Sequence, residues 1–311
     1  MSQSRTVSAQ SLELEPQYIA INGTDHHYQW VRSSQDASVP KPVMVFLHGW
    51  GGSGRYWEST AAALSDSFDC LLYDLRGFGR STRSSNASTD LTTDLAVGLA
   101  AKSQSYELIE YAHDLKQLLD YLGLDRVYLN AHSTGASIAV LFLNAYPERV
   151  ERAVLTCSGI FEYNERAFTT IHRFSRYVVA FRPQWLAKIP LMDRFFMARF
   201  LHRSLPSSIS KAFLEDFLMA DFDAAYGTVL TAVSKAAATW MPEEFKRLTV
   251  PTLLVAGEYD QIIPAKMGKA AADLSPQVEF SLIEKTAHFP MLEDASTYLQ
   301  RVRQFLEMPI S

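Results

Sequence analysis

The chain has 311 residues, of which 20% are charged and 48% hydrophobic, with a formal net charge of -5. That length holds one large domain or two small ones around a sizeable core, and the balance excludes a nucleic-acid binder, which needs a strongly basic face. The opening stretch MSQSRTVSAQSLELEPQ lacks a secretory apolar run, and no window reaches the ~18 apolar residues of a membrane span. A cytoplasmic location is therefore the default expectation, with peripheral membrane contact left open.

After a polar leader over residues 1–16, YIAI and HYQWV predict two short antiparallel strands joined by the turn chemistry of NGTD, with His26 and His27 near that turn. The pattern then changes. VMVFLH (43–48), CLLYDL (70–75), RVYLNA (126–131), RAVLTC (152–157), TLLVAG (252–257) and VEFSLI (278–283) are nearly continuous apolar runs, as in strands buried on both faces of a parallel sheet. Between several of them lie helix-period segments: YWESTAAALSDS, ELIEYAHDLKQLLDYLG, GASIAVLFLNAYP and PAKMGKAAADL, with ASTYLQRVRQFLE closing the chain. The expected fold class is α/β, a mostly parallel central sheet with helices on both faces, its core formed by residues 17–158 and 246–311.

Two stretches break the alternation. Residues 83–105 are rich in Ser, Thr and Ala and read as a surface insertion. Residues 159–245, after the sixth strand, hold helical patterns such as IHRFSRYVVAF, WLAKI, MDRFFMARFL and ISKAFLEDFLMA but no strand-like run. They predict a helical cap over the carboxyl ends of the strands. The only cysteines, Cys70 and Cys157, fall in apolar strand-like runs and read as buried thiols, so neither a disulfide framework nor a metal cluster is expected.

The segment RVYLNAHSTGASIAV carries the functional argument, because an apolar strand runs into a tight turn and leaves as a helix. A nucleophile on such a turn needs small neighbours two residues to either side, and Ala131 and Gly135 flank Ser133 in that way. Ser133 would also stand at a helix N-terminus, where free N–H groups and the helix dipole favour a developing oxyanion. Downstream, Asp260 follows the strand LLVAG and His288 lies in the loop after the next strand. His288 would take the Ser133 proton and return it to the leaving group, with Asp260 holding the imidazole tautomer. Asp260 as a mere helix cap is the plainer reading, and Glu258 a weaker candidate for the acid. Upstream, His48-Gly49-Trp50-Gly51 offers the Trp50 backbone N–H, which with that of Thr134 would make a two-donor oxyanion hole. The Gly-rich run lacks the G-K-[ST] of a phosphate loop. His132 adjoins the nucleophile but would point elsewhere, and His113, His172 and His202 have structural readings.

In order and spacing, H-G-W-G-G, D-L-R-G-F-G-R-S at 74–81, A-H-S-T-G-A, G-E-Y-D-Q-I-I-P and A-H-F-P-M-L-E-D resemble the motifs of the α/β-hydrolase family. Ala131 departs from the more usual first glycine of G-x-S-x-G. The resemblance implies Ser133, Asp260 and His288 as a catalytic triad, Trp50 and Thr134 as oxyanion donors, and Asp74, Arg76 and Ser81 as architectural. A serine at the elbow disfavours epoxide opening and halide displacement, which in this family use Asp there.

The expected activity is hydrolysis of a carboxylester with a hydrophobic acyl or alcohol group through an acyl-enzyme on Ser133, with no metal or organic cofactor needed. C–C or peptide-bond hydrolysis and acyl transfer use the same triad, and a non-catalytic ligand-binding protein of this fold is the alternative outside enzymes. In the cap, Phe161, Phe168, Phe174, Tyr177, Phe181, Trp185, Phe195, Phe196 and Phe200 alternate with Arg166, Arg173, Arg176, Arg182, Arg194, Arg199 and Arg203. Two readings apply: an apolar tunnel with a cationic outer face that approaches anionic lipid, or an ordinary amphipathic cap with solvated arginines.

Overall fold

The computed structural model describes residues 16–33, 40–81 and 105–308. The polar leader and the 83–105 insertion lie outside the described residues, save for Pro16 and Ser105 at their edges. Eight strands form one sheet: β1 (Gln17–Ile21), β2 (Thr24–Val31), β3 (Val43–Leu47), β4 (Asp69–Tyr73), β5 (Val127–His132), β6 (Val150–Thr156), β7 (Thr252–Gly257) and β8 (Val278–Ile283). Their spatial order is β1-β2-β4-β3-β5-β6-β7-β8, antiparallel from β1 to β4 across β2 and parallel from β4 to β8. The parallel strands need crossovers, and helices supply them: α1 (Glu58–Leu64), α2 (Leu108–Tyr121) and α3 (Thr134–Ala145).

Strands β3 and β7 are buried almost end to end, as their unbroken apolar runs require when helices cover both faces. α3 is apolar nearly all round and correspondingly buried. Two expectations are corrected. VEFSLI is an edge strand with mostly exposed or half-exposed side chains, because no described strand pairs beyond β8 and Glu279 and Ser281 interrupt its apolar run. The second strand starts earlier than expected, at Thr24 inside the NGTD turn, and His26 and His27, near that turn as expected, are fully buried in it.

Between β6 and β7 the chain folds as α4 (Glu165–Ala180), a 3-10 turn over Gln184–Lys188, α5 (Met192–Met197), α6 (Ser207–Met219), α7 (Phe222–Ala232) and α8 (Lys235–Lys246). α9 (Ala265–Ala272) crosses from β7 to β8, and α10 (Pro290–Glu293) and α11 (Ala295–Phe305) follow. The inserted helices are tied to the sheet by polar bonds. The Ser53 hydroxyl donates to Asp216 in α6 at 2.6 Å, and the Trp50 indole N–H donates to the Ala225 carbonyl in α7 at 2.7 Å. On the opposite side, the Tyr298 hydroxyl of α11 bonds Asn130 of β5 and Thr156 of β6, each at 2.9 Å. Both cysteines are buried and unbridged. Among the described residues no helix is long and apolar enough to cross a membrane.

Candidate active site

Ser133, Asp260, His288 and Trp50 all follow the carboxyl ends of parallel strands, the edge where open α/β sheets place their ligand sites. Ser133 has φ +53° and ψ -120°, a conformation that costs a non-glycine residue about 1–3 kcal/mol and persists only where its surroundings enforce it. The enforcement is visible on both sides of the turn. The Ser133 N–H donates to the Thr156 carbonyl of β6 at 2.9 Å, and α3 begins at the next residue. Gly135 lets α3 approach the end of β3: a Cβ there would overlap the His48 carbonyl oxygen and lie 2.9 Å from that of Leu47. Gly49 makes the converse allowance, since a Cβ on it would sit 3.0 Å from the Ser133 Cβ.

The structure brings the three sequence-predicted residues into one line. The His288 Nε2 lies 3.1 Å from Ser133 Oγ, and its Nδ1 lies 2.7 Å from Asp260 Oδ2. All three are buried, Ser133 being 9% exposed. Asp260 also caps the following turn: its other oxygen, Oδ1, accepts from the Ile262 and Ile263 N–H groups at 2.8 and 3.0 Å. The same carboxylate thus closes this turn and partners His288, whereas the helix that follows, Ala265–Ala272, has its N-cap at Pro264 and not at Asp260. Glu258 is exposed and accepts from the Lys285 N–H at 2.9 Å, so it takes no part in this line. Thr134 follows Ser133 as the first residue of α3, Trp50 follows Gly49 in the loop after β3, and neither N–H donates to another described residue.

Two positioning groups escape a reading of the sequence. His132 points away from Ser133, as expected, but its ring reaches under His288, with centroids 4.7 Å apart. Its Nε2 lies 2.7 Å from the His288 carbonyl oxygen, which can only accept, so Nε2 carries the proton and Nδ1 must be the acceptor. The Tyr56 hydroxyl, 2.9 Å from that Nδ1, therefore donates to it and accepts from the Gly49 N–H. Burial, with His288 alongside, holds the His132 imidazole well below its usual pKa, and burial raises the Tyr56 phenol, so both stay neutral in their assigned roles. The chain Gly49, Tyr56, His132, His288 links the loop bearing Trp50 to the backbone of His288 with every proton placed. Glu293 is the second group. Its buried carboxylate accepts from the N–H groups of Ala287 and Phe289, on either side of His288, and from those of His202 and Arg203. The His288 N–H donates to the Phe200 carbonyl at 2.9 Å, so the segment after α5 also holds the base. The sequence signals, an E in A-H-F-P-M-L-E-D and a His beside the elbow, carry no pairing information by themselves.

The motif at 74–81 is architectural, as expected. Asp74 accepts from the Gly54 and Arg80 N–H groups at 2.7 and 2.9 Å, and the Ser81 hydroxyl donates to the Asp74 carbonyl at 2.6 Å. Burial would raise the Asp74 carboxyl, but His27 and Arg80 hold it below its ordinary range. Arg76 Nε pairs with Asp114 at 3.2 Å. Ligand atoms of His132, Cys157 and His288 come within 4.8 Å of one another, yet every ring nitrogen there already has a hydrogen-bond partner.

The tunnel of nine aromatics is corrected. Phe168 is buried and Phe196 and Phe200 are half-buried, but Phe174, Tyr177, Phe181, Trp185 and Phe195 are exposed, on the outer side of their segments. Nor are all the arginines solvated. Arg182 donates to the Val179 and Phe217 carbonyls, and Arg203 pairs with Asp294. Of the nine, Phe200 does border the site, 6.2 Å from the His288 ring, and it is joined there by Phe217 of α6, 5.6 Å from the ring of Trp50.

Residues 42–295 match the model of the alpha/beta hydrolase fold family. This chain belongs to the α/β hydrolase fold family. It is 25% identical over 285 residues to a putative carbamate hydrolase of Pseudomonas savastanoi pv. phaseolicola, covering 85% of this chain and 93% of that one. It is 23% identical over 262 residues to a pimeloyl-[acyl-carrier protein] methyl ester esterase of Vibrio cholerae, covering 84% and 93%. A solved thermophilic esterase from Thermogutta terrifontis superposes with a TM-score of 0.72 at 20% identity, over 94% of this chain and 98% of that one, a likeness of fold.

Proposed function

We propose that this protein is a serine hydrolase that cleaves a carboxylester with a hydrophobic acyl or alcohol group, with Ser133 as nucleophile, His288 as general base and Asp260 as the acid that orients it. The observation that carries this reading is the unbroken, buried line from Asp260 through His288 to Ser133 at a strained helix N-terminus. In attack, Ser133 Oγ bonds the ester carbonyl carbon while its proton passes to His288 Nε2. The oxyanion is met by the N–H groups of Trp50 and Thr134, and losing one such donor costs ~3 kcal/mol of transition-state stabilisation. The imidazolium then protonates the departing alkoxide, leaving an acyl group on Ser133. Water enters, His288 takes its proton, and the acid leaves as the serine regains its hydrogen.

The ester reading is supported by the apolar rings of Phe200, Phe217 and Phe289 around the site and by relatives named for ester and carbamate hydrolysis. The helices between β6 and β7 act in it as a cap, residues 159–245, anchored through Asp216 and Ala225 beside the loop of Trp50. The test is labelling with a fluorophosphonate, then hydrolysis of p-nitrophenyl esters of rising chain length. Label confined to Ser133, and loss of nearly all turnover in Ser133→Ala with the fold kept, is the expected result. Wild-type-like turnover in that variant sinks the mechanism, and turnover of amides but not esters sinks the substrate class.

A further inference from the structure

We propose that the outer surface of α4, the 3-10 turn and α5 is a docking surface for an anionic lipid bilayer. Two independent features of residues 165–199 carry this. The first is apolar. Phe174, Tyr177, Phe181, Trp185, Leu191 and Phe195 project into solvent, Phe181 at 67% and Phe195 at 80% exposure. Phe174 and Tyr177 of α4 and Phe181 at its C-cap recur at helical spacing, while Phe168 and Val179 form that helix's buried stripe. The helix thus has one apolar stripe for the core and another facing water. Phe181 and Trp185, with ring centroids 6.4 Å apart, continue the outer stripe into the 3-10 turn. Leu191 holds an exposed apolar side chain on a backbone at φ +64°, a conformation leucine adopts only under constraint. Large apolar side chains exposed in such number along one segment mark an interaction site.

The second feature is charge. Residues 165–199, from the start of α4, contain seven Lys or Arg and two acidic residues, Glu165 and Asp193, in a chain whose net charge is -5, so the remaining residues sum to -10. Asp193 is buried and accepts from the Ser207 hydroxyl, which removes it from the surface. Arg166, Arg173, Arg176, Lys188, Arg194 and Arg199 are exposed, and among the described residues none forms an ion pair. Arginine interleaved with Trp, Tyr and Phe suits the headgroup boundary of an anionic leaflet, where rings enter the acyl edge and cations meet phosphate. A second copy of the chain is the poorer occupant, since an isologous contact would press each cationic patch against its twin.

The same segment reaches the candidate site. Phe195 faces out, while Phe200, five residues on, receives the His288 N–H and packs near its ring. Docking would therefore bring the lipid surface to the element that holds the base. The inference itself stands on the surface and not on the reaction.

The test is co-sedimentation of the full chain with vesicles of phosphatidylcholine alone or with about 30% phosphatidylglycerol. Binding to the anionic vesicles only, weakening as salt rises from about 0.1 to about 0.5 M, is expected. Arg173→Glu with Arg176→Glu lowers that association at least about 25-fold, each cation being worth roughly five-fold. Phe181→Ser with Phe195→Ser abolishes it, with melting temperature unchanged because both rings stand in solvent. Ser133→Ala binds as the wild type does, which separates this inference from the hydrolase reading. Absence of binding to anionic vesicles overturns the proposal, as does binding indifferent to both double variants. Concentration-dependent dimers that Phe181→Ser disrupts would reassign the surface to self-association, and salt-sensitive capture of an acidic protein without vesicle binding would reassign it to a protein partner.

Discussion

Replacing Asp260 by Asn tests the proposed triad at its most geometric point. The Asp260 Oδ1 is held by two backbone N–H groups, from Ile262 and Ile263, and Oδ2 faces His288 Nδ1. An amide in this place must turn its oxygen to the two N–H donors, because its NH2 cannot accept from them. The NH2 then faces His288 and donates to Nδ1. That forces the imidazole proton onto Nε2, where it blocks transfer from Ser133. The backbone cap survives, so the fold should lose only the charge-assisted bond to His288, ~1–3 kcal/mol, or roughly 2–9 °C in melting temperature. Catalysis should lose far more. The same exchange in a serine protease drops kcat about ten-thousand-fold, equivalent to ~5 kcal/mol of barrier. Steady-state kinetics on a p-nitrophenyl ester measures kcat and KM separately, with KM expected to change little. Glu258→Gln in parallel should leave kcat within about two-fold, since among the described residues that carboxylate bonds the Lys285 N–H and not His288. Retention of more than a tenth of wild-type kcat by Asp260→Asn, or a collapse confined to Glu258→Gln, would refute the reasoning.

Tyr56→Phe keeps the ring stacked on Phe213, at 5.0 Å, but orphans the Gly49 N–H and His132 Nδ1. Two buried unsatisfied groups predict a loss of ~2–4 kcal/mol in urea denaturation, with kcat falling more than KM rises, and an unchanged midpoint would count against the network. Gly135→Ala drives a methyl into the backbone at the end of β3 and should cost ~3 kcal/mol or more. At Gly123, φ +64° with nothing within 4 Å of a Cβ, the same change should cost only ~1–2 kcal/mol, so equal melting shifts for the two variants would contradict the packing argument. Burial, with the Arg76 charge adding to it, lowers the pKa of His26 from 6.5 to about 3. Between those values the unfolded chain holds a proton that the folded chain does not, so this stability is present above pH 6.5 and is lost as pH falls towards 3. Its share of the loss from pH 7.5 to 5 is about 2 kcal/mol, which His26→Gln should remove from the pH dependence of the denaturation midpoint whatever it does to stability at neutral pH.

Much of this molecule was legible in its sequence because the signals are local. The inner parallel strands, β3 to β7, announce themselves by apolar runs that follow from cover on both faces, a signal that misleads at the edge strand β8. The elbow announces itself by Ala131, Ser133 and Gly135 between a strand and a helix, a backbone demand met within five residues. Asp260 and His288 follow from their positions just past strand ends, where the sheet delivers side chains to one edge. What the tertiary structure alone decided depends on contacts across long stretches of chain. That His132 serves the His288 backbone, 156 residues away, follows from which strands are neighbours and not from the letters beside Ser133. Glu293 brackets His288 because the segment after α5 folds back onto the loop, a docking that no periodicity encodes. The aromatic residues of α4 and α5 look alike in sequence whether they line a tunnel or face solvent. Helical spacing defines stripes, but which stripe is turned inward is set by the packing of the inserted helices on the sheet.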